Sequence, residues 1–187
     1  MKQRVTLNDK TFEVMIPAEE IDKAVEKVAE QLNKDYAESE KAPIFVGVLN
    51  GSYMFLSDLV RKTTFNNEVT FVRISSYEGT QSTGSITQKS GIDFDIEGRD
   101  IIIVEDIVDS GVTLNYLRQV LIHRGAASLK IAALLDKPAR RKIKDLKVDY
   151  VCFDIPDAFV VGYGLDYAGK YRNLKYVGTL RPEVYSN

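Results

Sequence analysis

Residues 101–114 read IIIVEDIVDSGVTL, and the fold that we predict for the whole chain follows from this stretch. The four branched apolar residues at 101–104 are typical of a strand that is buried on both faces, as in a parallel sheet. Two carboxylates, Glu105 and Asp106, follow at the carboxyl end of that strand, and Asp109 comes three residues later. A helical pattern begins next, so the segment predicts a strand, a loop and a helix.

The loop after this strand carries groups that suit an anion. Ser110, Gly111 and Thr113 offer hydroxyls and backbone N–H groups at the N-terminus of a helix. In open α/β sheets, ligands bind at the carboxyl ends of the strands. The loop therefore predicts a phosphate cradle beside three acids that can hold a metal ion, hydroxyl groups or a proton. The alternative is that Ser110 and Thr113 merely cap the helix.

The composition limits the class of protein. With 187 residues, of which 44% are hydrophobic and 28% charged, the chain is expected to form a globular domain with a real core. A net charge of −2 gives no electrostatic footprint for nucleic acid, so we expect no nucleic-acid partner. The single cysteine, the absence of a signal-peptide core and the lack of an apolar run near the ~20 residues of a membrane span favour a cytoplasmic protein without a membrane partner.

The rest of the chain predicts strands that alternate with helices. Two short strands around Asn8-Asp9 precede an amphipathic helix that starts at Pro17. Buried strands are predicted near residues 44, 70, 101, 129 and 149, and a last one at 176–180. This alternation predicts an α/β fold, with a twisted parallel sheet flanked by helices.

We expect a single domain over 1–187. Its core would span about 17–155, and a small hood lobe would come from 1–16 and 156–187. The N-terminal strands and the segment after Pro156 would pack over the crevice at the sheet edge and build a pocket there.

Three further segments are candidates for function. Asn50-Gly51-Ser52 follows a buried strand and is either an ordinary turn or a second backbone anion site. Residues 75–85 are almost entirely polar and are either a lid or a solvated hairpin tip, with return strands at 86–90 and near 93–96. Lys137 follows another buried strand, and its spacing alone favours a solvent-facing lysine at the start of a basic run.

Four parts of the chain, in the same order, resemble the type I phosphoribosyltransferases, in the version found in hypoxanthine-guanine phosphoribosyltransferases. They are Leu49-Asn50-Gly51-Ser52, the polar stretch 76–84, the motif at 105–113, and the group of Lys137, 159–167 and Arg172. The resemblance covers most of the chain. It implies the type I phosphoribosyltransferase fold with a hood.

The resemblance implies a Mg²⁺-dependent enzyme of purine salvage. The reaction would transfer the 5-phosphoribosyl group from phosphoribosyl pyrophosphate to hypoxanthine, and to guanine, giving IMP or GMP and pyrophosphate. A homodimer or homotetramer is implied as well. Two alternatives stay open: a non-catalytic regulator that senses nucleotide or phosphoribosyl pyrophosphate on the same fold, and a phospho-accepting receiver domain. For a receiver domain, however, we expect the acid pair after the first strand.

The resemblance also implies a role for each site residue. Asp109 would be the general base that faces the purine N7. The phosphoribosyl pyrophosphate site would consist of Glu105, Asp106, Asp109, Ser110, Gly111, Val112 and Thr113, together with Asn50, Gly51 and Arg172. The purine would contact Lys137, Phe159, Val160 and Asp166, the lid would contain Ser76 and Tyr77, and Mg²⁺ would meet Glu105, Asp106 and Asp166.

One position departs from the family pattern. Many family members carry lysine before the glycine of the first loop, whereas this chain has Asn50. A charge near the pyrophosphate is therefore missing, which bears on pyrophosphate affinity more than on the reaction.

Overall fold

The computed structural model describes residues 4–7, 10–76, 86–88 and 94–180, and the side chains within 12–74 and 94–180. In chain order, its elements are β1 (Arg4–Leu7), β2 (Lys10–Ile16), α1 (Ala18–Asp35), β3 (Ile44–Leu49), α2 (Tyr53–Val60), β4 (Glu68–Ser76), β5 (Ile86–Gln88), β6 (Asp100–Val108), α3 (Val112–His123), β7 (Ser128–Asp136), β8 (Tyr150–Asp154), β9 (Val160–Val161) and β10 (Val177–Leu180). A single 3₁₀ turn, Pro138–Arg140, follows β7.

The main sheet has the strand order β5-β4-β3-β6-β7-β8. Strands β4, β3, β6, β7 and β8 are mutually parallel, and β5 pairs antiparallel at the edge. The apolar faces of α1 and α2 pack on one side of this sheet, and the apolar face of α3 packs on the other. Helices on both faces hide the central strands β3, β6 and β7 from water, which is why these strands carry long apolar runs, whereas Val69 and Phe71 of β4 remain exposed. The predicted α/β fold is confirmed.

The central strand β6 is longer than the sequence indicates. Its pairing with β7 continues past the apolar run, with Glu105 opposite Ala133 and Val108 opposite Asp136. The expectation that Glu105 and Asp106 follow the strand was therefore wrong, since both lie within it. The ladder to β7 supplies backbone hydrogen bonds that a pattern of apolar side chains does not reveal.

The topology places one crevice at the centre of the sheet. The chain goes from β3 to β4 on one side, and later adds β6 on the other side of β3. The loops that leave β3 and β6 therefore diverge at their carboxyl ends, and such a switch point is where open α/β sheets bind ligands. Both loops were singled out in the sequence.

A second, antiparallel sheet has the strand order β1-β2-β10-β9. It combines strands from both ends of the described chain, as the predicted small lobe requires. Phe12 of β2 packs edge-on against Tyr171, with ring centroids 4.9 Å apart. This contact links the small sheet to the loop that precedes β10.

Of the two return strands predicted after the polar stretch, the structure contains one within its described residues. Strand β5 supplies one return strand, but residues 94–96 form no strand, because the N–H of Arg99 bonds the Ile96 carbonyl in a turn and Ile96 is buried in the core on the α3 side. Tyr77 and most of the predicted lid lie outside the described residues. Within the part of the chain that is described, no helix is long and apolar enough to cross a membrane.

Candidate active site

The loop between β6 and α3 forms a small open cradle of about 100 Å³. Gly111 has a φ of +78°, and a Cβ there would lie 2.7 Å from a side-chain carbon of Leu146, so the turn requires glycine. The hydroxyl of Ser110 accepts only a long bond, 3.4 Å, from the N–H of Val112, and no side-chain cap closes α3. The capping alternative therefore leaves Thr113, which lines the cradle, unexplained.

The segment after β7 fixes this loop from one side. The backbone N–H of Lys137 donates to the Val108 carbonyl at 2.9 Å, and the N–H of Lys142 donates to the Ser110 carbonyl at 3.0 Å. These two bonds flank Asp109 in the sequence. The position of Asp109 is thus set by backbone contacts on both sides.

The two acids of β6 are partly buried at the crevice. Burial, and secondarily the charge of Asp106, raises the pKa of Glu105 well above its ordinary value. One Glu105 oxygen, Oε2, is buried without a hydrogen-bond partner among the described residues. Burial also raises the pKa of Asp106 to about 6, against the opposing effects of the Ile107 N–H at 2.9 Å and of Arg172. This pair holds its protons more tightly than exposed carboxyl groups do.

Two glycines allow three loops to meet around Asp106. A Cβ on Gly51 would lie 1.5 Å from Oδ2 of Asp106, and a Cβ on Gly164 would lie 2.1 Å from the Gly51 carbonyl oxygen. Next to Gly51, Oδ1 of Asn50 accepts a bond of 2.6 Å from Arg73 of β4. A guanidinium therefore contacts the residue that replaces the family lysine, and no local pattern in the sequence indicated this contact.

Arg172 and Asp166 form a pair on the far side of the same crevice. Nη2 of Arg172 lies 2.8 Å from Oδ1 of Asp166, and Nη1 donates to the Gly164 carbonyl at 2.6 Å. The second oxygen of Asp166 accepts the N–H of Gly169 at 2.7 Å. Arg172 and Asp166 also influence the pKa of Asp106, so both lie within electrostatic reach of it.

A pocket for a flat ligand lies beside the cradle. Two adjoining cavities of about 280 and 350 Å³ share Asp109, Lys137, Ala158 and Phe159 in their walls. Phe159 is partly exposed and meets Tyr167 edge-on, with centroids 5.7 Å apart. Val160 and Asp166 line the same space.

Lys137 is not the solvent-facing residue that its spacing suggested. It is only 7% exposed, and its ammonium lies 3.4 Å from Asp157. The expectation from spacing was wrong because the turn Pro138–Arg140 reverses the chain directly after β7 and holds the lysine against the pocket. The resemblance, by contrast, had placed Lys137 at the pocket.

Two charged residues of this pocket were missed. Nε of Arg140 donates to Oδ1 of Asp109 at 2.6 Å, and its Nη1 donates to Oδ2 of Asp157 at 3.0 Å. The hydrogen bond from Arg140, and to a smaller extent the one from Lys137, lowers the pKa of Asp157. In the sequence, Arg140 was part of a basic run and Asp157 a loop residue, so only three-dimensional contacts reveal the pairing.

Most of the predicted site residues lie together, and a few do not. The cradle residues, Lys137, Phe159, Val160, Asp166 and Arg172 surround one crevice, whereas Val112 is largely exposed on α3. Ser76 ends β4, and Tyr77 lies outside the described residues. Within the described ranges, no three His, Cys, Asp or Glu side chains converge as a ready metal site.

Comparisons with known proteins agree with the fold. The family model of the phosphoribosyl transferase domain matches residues 17–168. The chain therefore belongs to the phosphoribosyltransferase family, a class of transferases.

Within that family, the relatives and structures compared below are all named for the purine hypoxanthine. A hypoxanthine-guanine phosphoribosyltransferase of Streptococcus pneumoniae is 50% identical over 175 residues, covering 93% of this chain and 96% of the relative. The crystal structure of a hypoxanthine phosphoribosyltransferase from Staphylococcus aureus has a TM-score of 0.87 and 46% identity, with 94% of each chain covered. A hypoxanthine phosphoribosyl transferase of Trypanosoma cruzi has a TM-score of 0.89 at 36% identity, with 97% of each chain covered.

Proposed function

We propose that this protein transfers the 5-phosphoribosyl group of phosphoribosyl pyrophosphate to hypoxanthine and guanine, forming IMP or GMP and pyrophosphate in purine salvage. One observation carries the proposal: a phosphate cradle, a buried acid pair and a flat pocket share a single crevice, with Asp109 at the junction of cradle and pocket. A 5-phosphoribosyl donor and a purine need those three features side by side. The family match and the names of the relatives support the same activity.

In the proposed reaction, the purine N9 attacks C1 of the ribose while the bond from C1 to the pyrophosphate oxygen breaks. The purine must lose a proton, either N7–H as N9 attacks or N9–H itself. Asp109 would accept that proton, because it stands one residue before the cradle and lines both base cavities. The ammonium of Lys137 would donate to the 6-oxo group, with Phe159 against the ring and Val160 at the base edge.

The donor would lie between the two glycine-bearing loops. Ser110, Gly111, Val112 and Thr113 would hold the 5′-phosphate through N–H and hydroxyl groups. Glu105 and Asp106 would accept hydrogen bonds from the ribose hydroxyls, which suits the unpartnered Oε2 of Glu105. Asn50, Gly51 and Arg172 would meet the pyrophosphate. The lid, with Ser76 and Tyr77, would exclude the water that otherwise hydrolyses the donor.

The carboxyl groups at this crevice fit Mg²⁺. They offer oxygen ligands only, and Mg²⁺ binds through few carboxylates together with substrate phosphates and water. Asp106 and Asp166, with Glu105 nearby, would hold it, and the absence of a converging three-ligand cluster in the described chain suits an ion that arrives with its substrate. When bound, Mg²⁺ would neutralise the charge that develops on the leaving pyrophosphate.

The test is a spectrophotometric assay of hypoxanthine, guanine and xanthine with phosphoribosyl pyrophosphate. We expect IMP and GMP to form, turnover to stop when EDTA removes the metal, and activity to return when Mg²⁺ is added. Undiminished activity in EDTA would contradict the magnesium role. Binding of donor or nucleotide without any turnover would instead favour the non-catalytic regulator.

We propose that the protein acts as a homodimer or homotetramer. The Trypanosoma cruzi structure described above was solved to study the role of the C-terminal region on oligomeric state and enzymatic activity. Light scattering coupled to size-exclusion chromatography should give two or four times the 21.0 kDa chain mass.

A further inference from the structure

Four charged side chains form a continuous row of ion pairs along the rim of the base pocket. Arg140 joins Asp109 to Asp157 by bonds of 2.6 and 3.0 Å, and Asp157 lies 3.4 Å from Lys137. The signs alternate, so the group is neutral as a whole. The two ends of this row, Asp109 and Lys137, are the residues proposed to touch the purine. The two middle residues, Arg140 and Asp157, have no assigned role.

The contact between Arg140 and Asp109 is built into the backbone. Arg140 ends the 3₁₀ turn that follows Lys137, and its own N–H bonds the Lys137 carbonyl at 3.0 Å. The segment 137–142 is fastened to the Val108 and Ser110 carbonyls, that is, on either side of Asp109. Two segments held in this register bring the guanidinium of Arg140 to the carboxylate of Asp109 whenever both are folded.

The geometry of the contact leaves the carboxylate available for chemistry. Arg140 binds Oδ1 of Asp109, and the structure shows no partner for Oδ2 within its described residues. A guanidinium is a rigid planar fork whose N–H groups hold two carboxylates in fixed directions, whereas the three donors of an ammonium rotate freely. Asp109 and Arg140 are both about half exposed, so their ion pair adds little to stability. A loss of activity on its removal would therefore not be a loss of folding.

From these contacts, and on the basis of the proposed function, we propose that Arg140 is a positioning residue for the reaction. It fixes Oδ1 of Asp109 through Nε and thereby directs Oδ2 to the purine proton. Asp157 holds the other side of Arg140 and the ammonium of Lys137, which sets the distance between the two groups that read the base. Arg140 does not itself touch the reacting atoms.

A double-mutant cycle tests this role. We expect Arg140→Met to lower kcat about 10-fold and to leave the Kd of phosphoribosyl pyrophosphate within about 2-fold. In an Asp109→Asn background, the same substitution should cost less than about 2-fold, because the carboxylate that Arg140 orients no longer accepts the proton. Arg61→Met is the matched control: Arg61 is an exposed arginine with a carboxylate 3.9 Å away, at the end of α2, and its loss should leave kcat unchanged.

Three results would overturn the proposal. One is a wild-type kcat in Arg140→Met, and another is a loss that persists in full in the Asp109→Asn background. If Arg140→Met fails to fold by circular dichroism, Arg140→Lys replaces it. The lysine keeps the charge but lacks the planar fork that fixes the direction of the Asp109 carboxylate, so a wild-type kcat there also overturns the proposal. Failure of the underlying function is recognised separately, because the wild-type protein would then form no nucleotide.

Discussion

The two sets of acids at this crevice differ in how the protein treats their charge. Glu105 and Asp106 lie within β6, partly buried at the crevice, and loss of hydration raises the pKa of both. Asp109 and Asp157 lie at the rim, about half exposed, and each is hydrogen-bonded to Arg140. Asp109 follows Asp106 by three residues, whereas Asp157 reaches the same rim from the segment between β8 and β9.

This difference indicates a division of labour. A carboxyl group whose burial outweighs its countercharge, as at Asp106 beside Arg172, gains from a ligand that brings positive charge or hydroxyl donors, as a magnesium-bearing sugar phosphate does. A carboxylate at an open rim, kept oriented by a cation, can accept a proton and release it to water. We therefore propose donor binding for the strand acids and proton transfer for Asp109, with Asp157 holding the cations of the rim.

The strongest test of these proposed roles is to remove the negative charge of Asp109. In Asp109→Asn, the side chain keeps its shape and can still accept from Arg140, but it cannot take a proton. We expect kcat to fall by about 10²–10⁴-fold, the usual worth of one positioned general base, while the donor Kd changes much less. Rapid-quench or steady-state kinetics with hypoxanthine, together with donor titration, measure both quantities.

A matched control for Asp109→Asn is Asp145→Asn, at an exposed position in the segment between β7 and β8. The control should keep the wild-type kcat. If Asp109→Asn were itself silent, Asp109 would be structural and the base would have to be sought elsewhere. The structure already weakens a capping role, since no side-chain bond caps α3.

Next in size is the effect of the buried cation at the rim. Lys137→Ala removes the donor proposed for the 6-oxo group, and a hydrogen bond to a charged group is worth about 1.5–3 kcal/mol. We therefore expect kcat/KM for hypoxanthine to fall roughly 10- to 100-fold, with donor Kd little changed. Lys142→Ala, an exposed neighbour on the same segment, should behave as wild type in the same assay. If donor affinity collapsed and the purine KM did not change, Lys137 would belong to the donor site and not to the purine site.

The same contrast explains how much the sequence could predict. The cradle was predictable because its elements are local: an apolar run, three acids and a Ser-Gly-x-Thr loop within 101–114. Family resemblance placed Lys137 and Arg172 at the crevice, although spacing alone favoured a solvated Lys137. Local patterns carry the backbone geometry of one loop, and they hold no information on a partner that is distant in sequence.

The missed residues are all partners of that distant kind. Arg73 meets Asn50 from 23 positions away, and Arg140 meets Asp109 from 31 positions away. A charged residue on the surface has many possible partners, so its identity says nothing about which one the fold supplies. The extension of β6 through Glu105 and Asp106 was missed for a related reason, since the ladder with β7 sustains it.

The smallest expected effect concerns the strand acids and is measured by unfolding the protein without any ligand. The pKa of Asp106 is about 6 in the folded state, above the ordinary value of 3.8, so the folded protein binds this proton more tightly than the unfolded chain does. Below about pH 4 the group is protonated in both states and costs nothing. Between about pH 4 and 6 the free energy of unfolding decreases as the pH rises, and above that range the whole penalty is present.

Asp106→Asn removes this penalty and keeps an acceptor for the N–H of Ile107. A shift from 3.8 to about 6 corresponds to about 3 kcal/mol, and this net shift already includes the attraction to Arg172. The asparagine amide also loses hydration at this partly buried position, so we expect the variant to be about 1–2 kcal/mol more stable than wild type at pH 8. At pH 4 the two proteins should unfold alike. Urea unfolding at both pH values measures the difference, and Asp145→Asn should show no such pH-dependent gain. The opposite result is that Asp106→Asn is less stable than wild type at pH 8 and equally stable at pH 4. Arg172 would then stabilise the Asp106 carboxylate by more than burial destabilises it. In that case the strand acids and the rim acids would not differ in the way proposed.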